Sequence, residues 1–145
     1  MKYSRGFTLI EVLVVLVLMA MAYTLVPPAM FGGGGVEMHA AARQLAAGMR
    51  KARDHSIHTQ RDAVLLIDVE GRQFTVSSDD KKYPLPEQGQ ITVYTAQAEV
   101  VDGKQAAIRF FPDGSSTGGA VTLSNKGAIF RVQVDWLTGS VAIRD

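Results

Sequence analysis

The residues whose types and spacing predict chemistry stand close to the amino terminus of the chain. Lys2 and Arg5 precede a long apolar run, and Glu11 is the one carboxylate inside that run. A carboxylate among apolar side chains needs a partner of opposite charge, because an uncompensated charge is costly away from water. The arrangement therefore predicts that Glu11 takes part in charge pairing.

The element that positions Glu11 is a membrane helix, predicted from Phe7 to Val26. About 20 apolar residues are enough to cross a bilayer as a helix, and this run reaches that length. A soluble core helix would show a polar face, whereas residues 12–19 are apolar throughout. The basic residues before the run place that end in the cytoplasm and everything after Val26 outside.

A secretory signal peptide is the alternative interpretation of this run. Ala20, Met21 and Ala22 have the small-x-small form that signal peptidase prefers, which would give a mature chain beginning at Tyr23. Such a chain would be a soluble β-rich binding protein or enzyme. Glu11 argues against this interpretation, because a segment that is exported and discarded has no need of an acidic residue.

The segment from Arg5 to Val12, with the sequence Arg-Gly-Phe-Thr-Leu-Ile-Glu-Val, resembles the processing motif of the type IV pilin superfamily. That superfamily includes the pseudopilins of type II secretion. The resemblance implies that a prepilin peptidase cuts after Gly6 at the cytoplasmic face and methylates the new amine of Phe7. Residues 1–6 are then a leader, and residues 7–26 remain as a transmembrane and assembly helix.

Cleavage at Gly6 also supplies the partner that Glu11 needs. The amine of Phe7 would lie four residues before Glu11, about 6 Å along a helix and on the same face. Pairing the Phe7 amine of one subunit with Glu11 of its neighbour would neutralise both charges and set the axial register of two apolar helices. Glu11 is therefore predicted to be an assembly residue, with a pair inside one chain as the alternative.

A flexible linker is predicted over residues 27–36. Pro27 and Pro28 lack backbone N–H groups and disfavour helix before them. The four glycines at 32–35 oppose helix by about 1 kcal/mol each relative to alanine. Pilins of the superfamily tend to carry one long helix through this region, so the glycines depart from the family pattern.

A second, amphipathic helix is predicted from Glu37 to Ile57. Apolar residues recur at spacings of three and four and form one stripe, made of Met38, Ala42, Leu45, Met49 and Ala52. The outer surface is polar and is made of Arg43, Gln44, Arg50, Lys51 and Asp54. Its basic residues indicate a solvated face rather than a nucleic-acid site. His55 and His58 have no third ligand nearby, so no metal site is predicted.

From Asp62 onward, short β-type runs predict an antiparallel sheet domain that packs on this second helix, an α+β arrangement. The predicted strands are 63–69, 73–77, 90–95, 106–111, 120–124, 130–136 and 140–144. Residues 79–86 are predicted to form a polar loop rather than a catalytic carboxylate pair. The clearest alternation points Phe130, Val132, Val134 and Trp136 inward. Residues 37–145 thus form one domain in this prediction, and the resemblance to the pilin superfamily implies that the domain is pilin-like.

Composition narrows the range of functions further. The chain has 145 residues, room for one small domain beside a membrane segment. It carries 15 Lys and Arg against 14 Asp and Glu, and loss of Lys2 and Arg5 with a leader leaves 13 against 14. This near-neutral balance argues against general nucleic-acid binding. Cysteine is absent, which excludes disulfides and thiolate metal sites, and no cofactor is predicted.

The resemblance extends into the sheet domain, where residues 45–53, 111–119 and 138–141 are similar to the H-type minor pseudopilins and their minor type IV pilin relatives. It implies a minor pseudopilin at or near the tip of a periplasmic filament that supports export of folded proteins across the outer membrane. A minor type IV pilin serving pilus assembly, adhesion or DNA uptake is the alternative. A possible contact loop comprises Asp113, Gly114, Ser115, Ser116 and Thr117. It is not predicted to be catalytic, because the two serines have no evident base.

The resemblance also implies the partners and the location of the chain. Expected partners are other minor and major pseudopilins, the prepilin peptidase and the inner-membrane secretion platform. The chain is expected to cross the inner membrane once, with a cytoplasmic amino terminus and a periplasmic carboxy-terminal domain, and to enter the pseudopilus. Because the chain has only one hydrophobic helix, it is expected to be monomeric in detergent or after that helix is removed.

Overall fold

The computed structural model describes residues 8–25, 34–95, 100–101 and 104–145, and the chain divides into two compact units, residues 1–33 and 34–145. In the first unit a helix, α1, runs from Leu9–Leu25 with Glu11 in its first turn. Phe7 and Val26, the ends of the predicted membrane segment, lie outside the described residues. Within the part of the chain that the structure describes, no helix combines the length and apolar character required for a membrane crossing.

The second unit begins with helix α2, Gly34–Thr59. The whole predicted apolar stripe is buried, and the predicted outer residues are exposed. The helix begins three residues before the predicted Glu37, because tertiary contacts outweigh the low helix propensity of glycine. A Cβ atom on Gly34 would lie 2.6 Å from Nδ2 of Asn125. Gly34, Gly35 and Val36 are therefore helical rather than linker; residues 27–33 of the predicted linker lie outside the described part.

Nine strands occur in the described residues of this unit, and all neighbouring strands are antiparallel. A five-stranded sheet has the order β3-β2-β1-β6-β5, and a four-stranded sheet has the order β4-β7-β8-β9. Their bounds are β1 Ala63–Asp68, β2 Gln73–Val76, β3 Asp79–Pro84, β4 Gln90–Tyr94, β5 Val100–Val101, β6 Gln105–Phe110, β7 Gly119–Asn125, β8 Ala128–Val134 and β9 Val141–Arg144. The unit is thus the predicted helix on antiparallel sheets, with two sheets in place of one.

The core lies where α2 covers the inner faces of both sheets. Alternate residues of each strand point toward the helix, so Leu65 and Ile108, which are register partners, are both fully buried. Phe74 fills the space above Gly48 of α2, where an added Cβ would lie 2.7 Å from the phenylalanine ring. Glycine at this position lets the helix approach the sheet closely.

Strand β3 corrects the prediction of a polar loop at residues 79–86. It lies at the edge of the five-stranded sheet and pairs only with β2 among the described strands, from Gln73 opposite Pro84 to Val76 opposite Asp79. An edge strand can carry charged residues and a terminal proline, because one side of it needs no ladder partner. The polar residues of this segment therefore gave no sequence signal for a strand.

Trp136 corrects the predicted inward alternation. Val132 and Val134 are buried and Phe130 packs against the core, but Trp136 is 65% exposed. Strand β8 ends at Val134. Asp135 then accepts hydrogen bonds from the backbone N–H groups of Leu137 and Thr138 at 3.1 and 2.8 Å, which forms a turn. The two-residue period therefore stops before Trp136.

A polar cluster ties α2 to the edge strand β3. Nζ of Lys51 lies 2.7 Å from Oδ2 of Asp79, and the hydroxyl of Tyr83 donates to the same oxygen at 2.8 Å. These hydrogen bonds, with one from the backbone N–H of Lys81, lower the pKa of Asp79 to about 2. The ionised carboxylate is thus favoured in the folded chain.

The stability of the domain should depend on pH through the Asp79 carboxylate of this cluster. Because the pKa of Asp79 falls from its ordinary 3.8 to about 2 on folding, its contribution to stability is present above pH 4 and is lost as the pH falls toward 2. Asp79→Asn should lower the melting temperature at neutral pH and make the loss of stability between pH 4 and 2 shallower. Thermal melts across this range measure both effects. Asp80→Asn, at the exposed neighbouring position, should match wild type; equal curves for Asp79→Asn and wild type would contradict the prediction.

Candidate assembly and contact sites

Glu11 lies in the first turn of α1, where its backbone N–H donates to the carbonyl of Thr8 at 3.1 Å. Its side chain is exposed and makes no ion pair with any residue that the structure describes. Gly6 and Phe7, the predicted cleavage and methylation residues, lie outside the described residues. The structure therefore shows a helical Glu11 with an accessible carboxylate.

The predicted contact loop joins β6 to β7 and is held by its own hydrogen bonds. The N–H of Gly114 donates to the carbonyl of Phe111, and the N–H of Phe111 donates to the carbonyl of Ser115, both at 2.9 Å. Oδ1 of Asp113 accepts from the hydroxyl of Ser115 at 2.5 Å and from its N–H at 2.9 Å. These two bonds, the hydroxyl first, lower the pKa of Asp113. The loop is an ordered turn with an ionised carboxylate on its surface.

The carboxy-terminal end of α2 anchors one side of this loop. Nε of Arg53 donates to the carbonyl of Gly114 at 3.0 Å and to the carbonyl of Thr138 at 3.1 Å. The buried hydroxyl of Ser56 donates to the carbonyl of Phe111 at 3.0 Å. Two side chains of one helix face thus satisfy carbonyls of two separate turns.

The turn between β8 and β9 anchors the other side. The N–H of Ser116 donates to the carbonyl of Trp136 at 2.8 Å, and its hydroxyl donates to the carbonyl of Asp135 at 3.0 Å. The Asp135 carboxylate accepts from the backbone and then the hydroxyl of Thr138, which lowers the pKa of Asp135. Loop, helix end and turn therefore form one hydrogen-bonded unit.

This geometry assigns a structural role to both serines. The hydroxyl of Ser115 is bonded to a carboxylate whose pKa is low, so that carboxylate is a poor base. The hydroxyl of Ser116 is buried and donates to a carbonyl, which cannot accept its proton. Within the described residues no group of three or more His, Asp or Glu side chains is placed to hold a metal ion. Asp113, Ser115 and Thr117 stay partly or fully accessible, whereas Gly114 and Ser116 are buried.

Sequence reasoning missed the residues that make this unit. Local sequence predicts no such role for Arg53 or Ser56, because each acts through a backbone carbonyl more than 50 residues away. Tyr94 and Trp136, both exposed, lie along one cleft beside Gly118 and Gly119. A lone aromatic residue in a strand pattern carries no signal that it faces solvent.

Comparison with known proteins defines the class first. A family model described as the prokaryotic N-terminal methylation motif matches residues 1–25. The fold resembles the type IV minor pilin FimU of Pseudomonas aeruginosa, with a TM-score of 0.55 and 12% identity over 75% of this chain and 89% of that chain. It also resembles the minor pseudopilin EpsH from the Type 2 Secretion System of Vibrio cholerae, with a TM-score of 0.58 and 16% identity over 74% and 96%. At these identities the likeness shows the fold, which is that of the type IV pilin class.

The family follows from sequence. The model for the Type II transport protein GspH matches residues 41–139, and the chain therefore belongs to the GspH family. It is also 36% identical over 141 residues to the Type II secretion system protein H of Xanthomonas campestris pv. campestris, covering 97% of this chain and 83% of that protein. The chain is a minor pseudopilin of the type II secretion system, a structural subunit and not an enzyme.

Proposed function

We propose that the chain is cut after Gly6, is methylated at Phe7, and is held in the inner membrane by residues 7–26 as a single crossing. The observation that supports this is the pair of matches on one chain, the methylation motif over residues 1–25 and the GspH domain over residues 41–139. Lys2 and Arg5 favour a cytoplasmic amino terminus. Residues 27–33 then link the anchor to a periplasmic domain that begins with α2 at Gly34.

In this proposal the subunit enters the pseudopilus at or near its tip and supports export of folded proteins across the outer membrane. Its partners are the prepilin peptidase, other minor and major pseudopilins and the inner-membrane platform. Glu11 pairs with the Phe7 amine of a neighbouring subunit, and the accessible residues of the loop at 113–117 contact a second domain. The ordered loop supports this role, since a preformed surface loses little entropy on binding.

The mature amino terminus tests the proposal. We expect mass spectrometry of the protein from cells with the secretion system to find a chain that begins at methylated Phe7, and a Gly6 variant to keep its leader. Deletion of the gene should abolish secretion, and the wild-type gene should restore it. A mature chain that begins at Tyr23 would overturn the proposal in favour of an exported soluble protein.

A further inference from the structure

The four-stranded sheet carries two arginines side by side on its outer face, the face directed away from α2. Register pairs Arg131 of β8 directly with Arg144 of β9, and both side chains are exposed. Their strand neighbours Val132 and Ile143 point the other way, into or against the core. Because alternate residues share a face, the two guanidinium groups project from the same side of the sheet.

Neither arginine of this pair is engaged in an ion pair within the described part of the chain, although Asp135 lines the same cleft as Arg131. Neither guanidinium makes an ion pair or a hydrogen bond with any residue that the structure describes. The other register neighbour of Arg131 is Thr122, which is neutral. Like charges directly opposite one another destabilise an antiparallel pair. The register therefore places two like charges opposite each other, and an external carboxylate would relieve their repulsion.

Two exposed aromatic residues extend this face into a cleft of about 330 Å³. Tyr94 and Trp136 are 75% and 65% exposed, and both line the cleft together with Arg131 and Gln133. Its floor includes Gly118, where an added Cβ would lie 3.0 Å from Cβ of Trp136. Tyr, Trp and Arg are the residue types that dominate the binding energy of protein interfaces. The cleft thus combines two exposed aromatic side chains with the guanidinium of Arg131. Asp135 also lines it, but its carboxylate accepts hydrogen bonds from the N–H groups of its own turn.

We propose that this face binds an acidic segment of another filament subunit, which presents an Asp or Glu carboxylate to the arginine pair and an apolar side chain to the cleft. The inference rests on the proposed function, since it names a partner surface for that assembly. Guanidinium groups bind carboxylates through paired, charge-assisted hydrogen bonds. Nucleic-acid phosphates fit less well, because the processed chain has 13 basic against 14 acidic residues and a phosphate backbone calls for many cations.

Arg144→Glu separates binding from folding. It places opposite charges across β8 and β9, so the melting temperature should stay equal to that of wild type or rise. The same change replaces one of the two guanidinium groups that would bind the partner's carboxylate, so capture of the partner should fall about tenfold. Lys82→Glu is the matched control, because it reverses an exposed strand cation on the other sheet. It should leave capture unchanged.

The experiment uses the full-length chain in cells that assemble the secretion system, with a photo-crosslinking amino acid at Ala142. This residue is exposed on the same face, opposite Gln133. Mass spectrometry should identify a second pilin-like subunit, cross-linked beside an Asp or Glu. An Arg substitution of that acidic residue should lower capture by wild type and restore capture by Arg144→Glu.

Several results would overturn the inference. The captured segment could contain no Asp or Glu, or the captured molecule could be nucleic acid or lipid instead of a protein. Wild type and Arg144→Glu could capture the partner equally, or nothing could be captured in cells that secrete normally. The proposed function fails separately, if secretion does not depend on the chain at all. If secretion requires the chain but is the same with Arg144→Glu as with wild type, the proposed binding face around the arginine pair is contradicted and the proposed function is not.

Discussion

Glu11→Gln should abolish or reduce by at least tenfold the incorporation of the subunit into the pseudopilus, and secretion should fall with it. The substitution keeps the shape of the side chain and removes its charge. The positive amine of Phe7 on a neighbouring subunit would then lose its counter-charge within the membrane, where an unpaired charge is penalised by several kcal/mol. Co-isolation of the tagged variant with its partner subunits, compared with wild type, measures the effect.

Measurements of cleavage and membrane insertion distinguish pairing of Glu11 between subunits from pairing inside one chain. If Glu11 acts between subunits, the variant should be cut after Gly6 and found in the membrane fraction at wild-type levels. A pair within one chain would be lost before assembly, so Glu11→Gln would then lower insertion itself. Glu37→Gln makes the same change in the exposed first turn of α2 and should assemble normally. Normal co-isolation of Glu11→Gln would disprove an assembly role.

Local sequence predicted those parts of the fold that follow from periodicity. The stripe from Met38 to Ala52 is buried, because its spacing of three and four residues gives one helix face whatever lies opposite. Strands β1, β2, β4, β6, β7, β8 and β9 overlap predicted runs, since short runs rich in apolar residues between turn residues are a local signal as well. The N-terminal methylation motif, which a family model matches over residues 1–25, also needed only local sequence; the roles of Gly6, Phe7 and Glu11 stay predictions.

The remaining features depend on contacts between distant residues. Gly34 is helical because it packs against Asn125, and the sequence near Gly34 contains no trace of that contact. Strand β3 was not predicted because it is an edge strand, and an edge strand tolerates the charged residues that are typical of a loop. Arg131 and Arg144 form a pair only through the register of β8 and β9. Register is set by the whole hydrophobic pattern and the turn geometry, so neither arginine stands out in the sequence.

Gly139→Ala is expected to destabilise the sheet domain by about 3 kcal/mol, the sum of a backbone and a packing effect. Gly139 has a φ of 62°, a left-handed conformation that an L side chain disfavours. An added Cβ would also overlap the carbonyl oxygen of Gly114 and lie 2.8 Å from Nε of Arg53. The substitution would therefore separate the contact loop from the end of α2.

Gly127→Ala isolates the backbone effect, which makes it the control for Gly139→Ala. Gly127 has a φ of 89°, also left-handed, but an added Cβ there would meet nothing within 4 Å. Only the backbone effect of about 1 kcal/mol should remain. Thermal melts of the full-length proteins in detergent should show a fall of about 10 °C or more for Gly139→Ala and a few degrees for Gly127→Ala. Equal losses would mean that the close approach of Gly139 to Gly114 and Arg53 adds nothing to stability.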